Sequence, residues 1–515
     1  MSLDALKFMR PEPYDQARRL CVCLSDIHCT DGTVGQQSAD PEIWPWTFSQ
    51  IQQLCETFEI THLQLLLVGD IVDMIRTRQW ANPDQGKPFY PWDGCGPQCN
   101  ERLQTIFEAI VQRHAKPPES LFNQLKEARR TWPGQALPKL KELTVVPILG
   151  NHDKEILRDT KVLKAFWEEL MGMPLDQIPT GYRNYLSEQY DRDFSAPGTP
   201  PWPPFYWVDA GFRLFATHGQ WRDPDNHAAI DGWSSKEGWR PKSWQRAKYT
   251  PFTKPCFGDT VAAGLLSGYI SIAKEKLLAD PATAGEDRNR ILHILDELDL
   301  YRPSYAAVER LEKEIQRLAR REGHASARRI KTILESTLLD QVRLWLSWPF
   351  TRASAPLGRR LALSSAHMIL GLAGRLAARR TQGLRLKSIY LLFRFLHWRD
   401  RLKGWRDDMP DEDLLKLPAF TDPACKVLGL QLHVEGHTHT PMEADLDIGP
   451  HKNRGYVNLG TWRNRVVKKQ IGSYRRRGVG RLLCILDLPG EPEREFRYWV
   501  IDFTQWKASS DQLSK

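Results

Sequence analysis

Five short apolar runs of β type stop abruptly at polar residues. They are Leu20–Leu24 before Ser25-Asp26, Leu65–Val68 before Gly69-Asp70, Thr144–Leu149 before Gly150-Asn151, Arg213–Thr217 before His218, and Leu430–Val434 before Glu435-Gly436. Runs of this length predict buried strands, each with polar groups where it ends. Three more strands are expected at Gly455–Leu459, Leu482–Leu488 and Phe496–Asp502. Apolar residues at helical spacing predict helices over Trp46–Phe58, Glu101–His114 and Ser120–Thr131, between the early strands. Strands alternating with helices predict an α/β fold. In open sheets of that class, ligands bind outside the carboxyl ends of the strands.

The pattern changes from about Asp223 to Pro423. Tyr305–Leu318 and Ala325–Leu346 carry apolar residues at helical spacing among many charges, and no run there reads as a strand. Asp191–Pro204 and Trp221–Phe257 are rich in Pro, Gly and Trp and read as loops. The expected organisation is an α/β core in residues 1–222 and 429–515. It is split by a mostly helical insertion at 223–428, a cap or a membrane- or partner-binding element.

Composition is that of a globular chain: 515 residues, 41% hydrophobic and 26% charged. That excludes disorder, collagen and coiled coil as descriptions of the whole. The net charge of +9 is modest, but its placement is not. Gly358–Arg406 holds twelve Lys and Arg against Asp400 alone, a local net of +11, so the remainder is nearly neutral. Leu391, Leu392, Phe393, Phe395, Leu396 and Trp398 lie within the same segment. Such a mixture suits an anionic membrane surface or, second, nucleic acid. It also suits a helical core with solvated arginines. The least charged apolar stretch, Leu361–Gly374, has 14 residues, short of the ~18–20 needed to span a bilayer. The N-terminal stretch lacks the apolar run of a secretory signal. The nine cysteines are odd in number and scattered, which favours a reducing compartment. The expected location is cytoplasmic, peripheral at the inner face of a membrane if the basic segment binds lipid.

Candidate chemistry sits at the strand ends. The clusters are Asp26-Ile27-His28, Gly69-Asp70-Ile71-Val72-Asp73, Gly150-Asn151-His152-Asp153, Thr217-His218-Gly219 and Gly436-His437-Thr438-His439. Each is common alone, but five in order at five strand ends are not. Carboxylate and imidazole together suit Mn, Fe and Zn, and the absence of cysteine argues against a structural zinc site. On an extended chain the rings of His437 and His439 face opposite ways and can serve adjacent metals. An aspartate has two oxygens and can bridge two ions. Glycines before Asp70, Asn151 and His437 let the backbone turn sharply and bring ligands close.

This ordered set resembles the calcineurin-like metallophosphoesterase superfamily over about Leu20–Gly219 and Leu430–Trp462. The resemblance implies a four-layer α/β/β/α sandwich, here interrupted by the helical insertion. It implies two divalent metal ions, manganese first, with Fe, Zn, Ni or Mg as alternatives. Asp26, His28 and His439 would bind the first, Asn151, His218 and His437 the second, and Asp70 would bridge them. His152 would face the phosphate of a phosphorylated substrate, held by Asp153. The implied reaction is hydrolysis of a phosphate ester or pyrophosphate by a metal-bridging hydroxide. Asp73 is expected to orient a ligand histidine, the alternative being a helix-start residue. The basic segment suggests a lipid-linked substrate at a membrane surface. The alternatives are a nuclease or nucleotide phosphodiesterase, and a non-catalytic scaffold with a phosphoesterase core. Oligomeric state is not legible.

Other polar residues carry less. Cys95 and Cys99 lack a partner pair for a metal or redox site. His62, His114 and His433 read as structural, and so does His227, the alternative being a loop residue that touches substrate. Arg222 and Arg463 flank the motifs, where each either reaches a phosphate or is solvated. Trp462 is a further contact candidate.

Overall fold

The strands are β1 (Arg19–Leu24), β2 (His62–Val68), β3 (Glu142–Ile148), β4 (Tyr206–Asp209), β5 (Leu214–Thr217), β6 (Leu432–Glu435), β7 (Met442–Ile448), β8 (His451–Asn458), β9 (Arg481–Asp487) and β10 (Arg497–Asp502) in a computed structural model. It describes residues 17–34, 41–84, 86–94, 96–228, 233–234, 238–239, 249–302, 305–320, 325–355, 360, 363–364, 410–448, 451–468, 474–477, 480–489 and 497–503. The architecture is mixed α/β with two mixed five-stranded sheets, ordered β10-β9-β1-β2-β3 and β7-β8-β6-β5-β4. The first helices are α1 (Ile43–Thr57), α2 (Pro97–His114) and α3 (Leu121–Thr131). The other strands and the three helices match the expected elements within a few residues, but β4, β7 and two strands of a smaller sheet, Arg465–Lys468 and Tyr474–Arg477, are not among those expected. The YWVD of β4 is too short to show a period.

Register explains how the motifs come together. β1, β2 and β3 run parallel, with Leu24 beside Leu67 and Val68 beside Ile148. Asp26, Asp70 and Asn151 therefore leave adjacent strand ends. β5 and β8 both run parallel to β6, with Ala216 beside Val434 and Asn458 beside Glu435. That aligns His218 with Gly436-His437. β1 and β6 are central in their sheets whereas β3 lies at an edge, and β1 is buried along its whole length. This accounts for its unbroken apolar reading, typical of a strand covered on both faces.

The segment after β5 supplies a second core. It contains α4 (Gly268–Ala279), α5 (Glu286–Glu297), α6 (Tyr305–Ala319) and α7 (Ala325–Ser347). Ile330, Leu334, Leu338, Val342 and Trp345 repeat at three- and four-residue steps along α7 and are buried. They join Ile270, Ala273, Leu277, Ile291 and Leu295 in a hydrophobic cluster separate from that of the sheets. The expectation that this region lacks strands needs correction. Trp233–Ser234 pairs antiparallel with Gly238–Trp239, and Tyr301–Arg302 pairs parallel with Arg465–Lys468. Two-residue strands carry no periodic signal; the first pair is a local hairpin, and the second arises only from long-range pairing.

The basic segment Gly358–Arg406 lies outside the described residues except at Arg360, Leu363 and Ser364. Cys95 lies outside them too. Among the described residues, no helix is long and apolar enough to cross a membrane.

Candidate metal centre

The ends of β1, β2, β3, β5 and β6 meet at one place, joined by backbone bonds across the two sheets. Asp26 N donates to Gly69 O at 3.1 Å, and His28 N to Asp70 O at 2.8 Å. Gly436 N donates to His218 O at 3.0 Å, and Trp462 N to Asp26 O at 3.1 Å. Nine non-glycine residues have positive φ among the described residues, and five are Asp26, His28, Asp70, His437 and His439. Such conformations cost about 1–3 kcal/mol each and persist where the surroundings over-determine them. His437 and His439 face different partners because both are left-handed, not because the chain between them is extended. The glycines act in two ways. Gly69 itself has φ +77°, whereas Gly150 and Gly436 are needed for close approach. A Cβ at Gly150 would overlap Asp70, and one at Gly436 would overlap Ser25 and Asp26.

Three groups of donors result among the described residues, each with ligand atoms within 4.8 Å of one another. Asp26, His28, Asp70 and His439 form the first, Asp70, His218 and His437 the second, and His28, Asp73 and His152 the third. Asp70 belongs to the first two. In the first, His28 Nε2 stands 2.9 Å from His439 Nε2, and His439 Nε2 stands 3.2 Å from Asp26 Oδ1. In the second, His218 Nε2 lies 3.2 Å from Asp70 Oδ2. It is buried there without a well-aligned hydrogen bond. Asn151 adds an oxygen, with Oδ1 at 3.0 Å from His437 Nδ1. Imidazole nitrogens and carboxylate oxygens converging in this way fit borderline divalent ions.

Burial and charge set the protonation. Burial pushes His28 down to about 3, so its imidazole is neutral and able to ligate. Burial opposes the charge of Asp70, but His218 and His152 outweigh it and hold Asp70 well below the usual carboxylate range. Burial likewise opposes His218, yet Asp70 and then Asp26 raise it to about 10. Asp26 rises to about 6, chiefly through burial.

A layer of braces surrounds the donors. Asp73 Oδ2 stands 3.0 Å from His28 Nδ1, and Asp73 Oδ1 stands 2.9 Å from His152 Nδ1. Asp73 thus lies against the ring nitrogens of both His28 and His152 and fixes their orientation. The expected partner of His152 was Asp153, and this is corrected. Asp153 accepts from the backbone N–H of Gly150 and Val72, both at 2.8 Å. The loop turns its side chain back toward β2, and its buried carboxyl is raised to about 8. It holds loops together, and Asp73 holds the imidazole.

The braces continue outward through residues that sequence reasoning missed. Arg76 Nη1 donates to Asp73 Oδ2 at 2.9 Å. Its Nε lies 3.7 Å from Asp299, which also pairs with Arg463. Arg463 is 1% exposed and Asp299 3%, so neither the phosphate role nor the solvated role expected of Arg463 holds. Arg222 likewise pairs with Glu435 and bonds Tyr456 Oη at 3.0 Å. It ties the His218 loop to the His437 loop instead of facing solvent. Asp223, also missed, has Oδ2 at 3.2 Å from His437 Nε2. Its only signal in the sequence was an Asp-Pro-Asp-Asn turn five residues beyond His218.

The remaining candidates are structural. Trp462 stacks on Trp44 at 4.7 Å. His227 is buried against Phe252. His114 bonds Thr30 O, His62 lies beside Thr61 Oγ1, and His433 bonds Glu435. Cys99 is buried in α2. A scan against protein-family models, a search of curated proteins and a search of solved structures each found no match to this chain.

Proposed function

We propose that the chain is a dinuclear metal-dependent phosphoesterase that hydrolyses a phosphate ester or pyrophosphate. In this reading it resembles the calcineurin-like metallophosphoesterases, with its sheets and helices stacked as a four-layer α/β/β/α sandwich. The observation that carries the reading is Asp70. Its carboxylate belongs to two donor groups at once, one closed by His28 and His439 and the other by His218 and His437. Two divalent ions held there would polarise phosphoryl oxygens and supply hydroxide at neutral pH.

The chain's own residues do the rest. Asp26, His28 and His439 hold the first ion, and Asn151, His218 and His437 the second. Asp73 engages His152 Nδ1, so the ring carries a proton on Nε2 only as the doubly protonated imidazolium. In that form Nε2–H would meet the leaving oxygen of the substrate and hand it the proton, leaving a neutral ring with Nδ1–H still on Asp73. Arg76 stands beside Asp73. Burial opposes the Asp73 charge, but His152 and Arg76 outweigh it, so Asp73 stays ionised and keeps the imidazole oriented.

The test is hydrolysis of bis-p-nitrophenyl phosphate and p-nitrophenyl phosphate by full-length protein with added Mn(II). Wild type should turn over in a metal-dependent way and Asp70→Asn should not. The ratio of diester to monoester rates then narrows the substrate class. A protein that binds no divalent ion and shows no turnover would sink the reading.

A further inference from the structure

We infer that Asp223 is a positioning residue that fixes which nitrogen of His437 is offered to the second ion. The inference rests on the dinuclear reading above. Both ring nitrogens of His437 face acceptors. Nδ1 is 3.0 Å from Asn151 Oδ1, and Nε2 is 3.2 Å from Asp223 Oδ2. A neutral imidazole has one N–H and can donate to only one of them. A carboxylate is a stronger acceptor than an amide oxygen, so the proton belongs on Nε2. Nδ1 then turns its lone pair toward the space that Asn151 Oδ1 also faces. This is a carboxylate–histidine–metal arrangement, in which the outer carboxylate sets the tautomer and the ring angle.

The carboxylate is itself fixed. Asp223 accepts from Asp225 N at 3.0 Å and from Asn226 Nδ2 at 2.5 Å. Asn226 Oδ1 accepts in turn from Asn151 Nδ2 at 3.5 Å, which leaves Asn151 Oδ1 pointing at His437. One short turn directly after the β5 motif therefore steers two of the three side chains assigned to the second ion alone.

The experiment is Mn(II) titration calorimetry on full-length protein after EDTA treatment. Wild type should bind two ions. Asp223→Asn should bind the second about 10–100-fold more weakly and the first as before. In a double-mutant cycle, Asp223→Asn should cost far less when added to His437→Ala than in wild type, because most of its effect passes through His437 and only the remainder through Asn226 to Asn151. Imidazole ¹⁵N shifts of EDTA-treated wild type give a readout independent of any variant's folding, and should show His437 with Nε2–H. Two ions bound with unchanged affinity in Asp223→Asn, a loss in the double variant as large as in wild type, or an Nδ1–H tautomer would each overturn the inference alone. A wild type that binds fewer than two ions would instead sink the dinuclear reading, and the inference with it.

Discussion

The two halves of the candidate centre are built differently. The half formed by Asp26, His28 and His439 is fully buried and backed by a row of alternating charges, Asp73, Arg76, Asp299 and Arg463. The half formed by Asn151, His218 and His437 is equally buried at its side chains, His437 being 8% exposed there against 9% for His439, but is backed by one turn, Asp223 to Asn226. The first set of braces reaches into the helical segment through Asp299, in the short turn Leu298–Leu300 that follows α5. The second is local to the loop beyond β5. Ligands can thus be set by strand register on both sides while their orientation depends on unrelated outer partners. Disturbing the helical segment should therefore be felt first by His28 and His152, and only afterwards by His437.

Three further results would break or sharpen that contrast. The largest concerns His152, which shares Asp73 with His28 but belongs to neither donor group assigned to the ions. His152→Ala should lower kcat about 10²–10⁴-fold, the usual range for a lost general acid, with two ions still bound. If ion content fell as well, His152 would be a ligand and the division of roles would fail.

Next is Asp299→Ala. Arg76 keeps Asp73, but Arg463 would be left buried at 1% exposure without its carboxylate. Breaking a buried pair from one side costs about 3–5 kcal/mol, read as a lower denaturant midpoint. The His28 and His152 signals should shift while His437 stays in place. An unchanged midpoint would show that the charge row does not brace the first half.

The smallest effect is a proton count. His218 is raised to about 10 because Asp70 and Asp26 outweigh its burial. A histidine raised in the folded state adds stability that is full below the unfolded value near ~6.5. That stability is lost as pH rises through the folded value. EDTA-treated protein should therefore lose stability between pH 7 and 10. Asp153, raised to about 8, pushes the same way. A metal ion requires the neutral imidazole. Filling the second half should then release about one proton at pH 8, whereas His28, lowered to about 3, releases none. Calorimetry in buffers of different ionisation enthalpy would measure the difference. Equal proton release from both halves would remove the electrostatic contrast.

The parts legible in sequence share a local origin. The apolar runs, the helical spacing along α7 and the polar residues that end each strand are set by neighbours in the chain. So is the chemistry of the Asp, His and Asn side chains, and these features alone placed the nine candidate residues at five strand ends. The partners of those residues were not legible. Asp223 lies 214 residues from His437, and Asp299 lies 164 from Arg463. No period or motif links such positions. The assignment of Asp153 to His152, which the family resemblance implied, failed for that reason: the turn after β3 aimed the carboxylate at Gly150 and Val72 instead.

Sequence by itself determined the α/β character, the order of the strand-end motifs and the donor types, because each depends on side-chain chemistry and local periodicity. Tertiary structure decided the rest: which donors share Asp70, which backbones are forced into the left-handed region, and which distant charges orient the histidines. Those outcomes depend on sheet register and on burial, where a carboxylate must find its cation or N–H wherever in the chain that partner happens to lie.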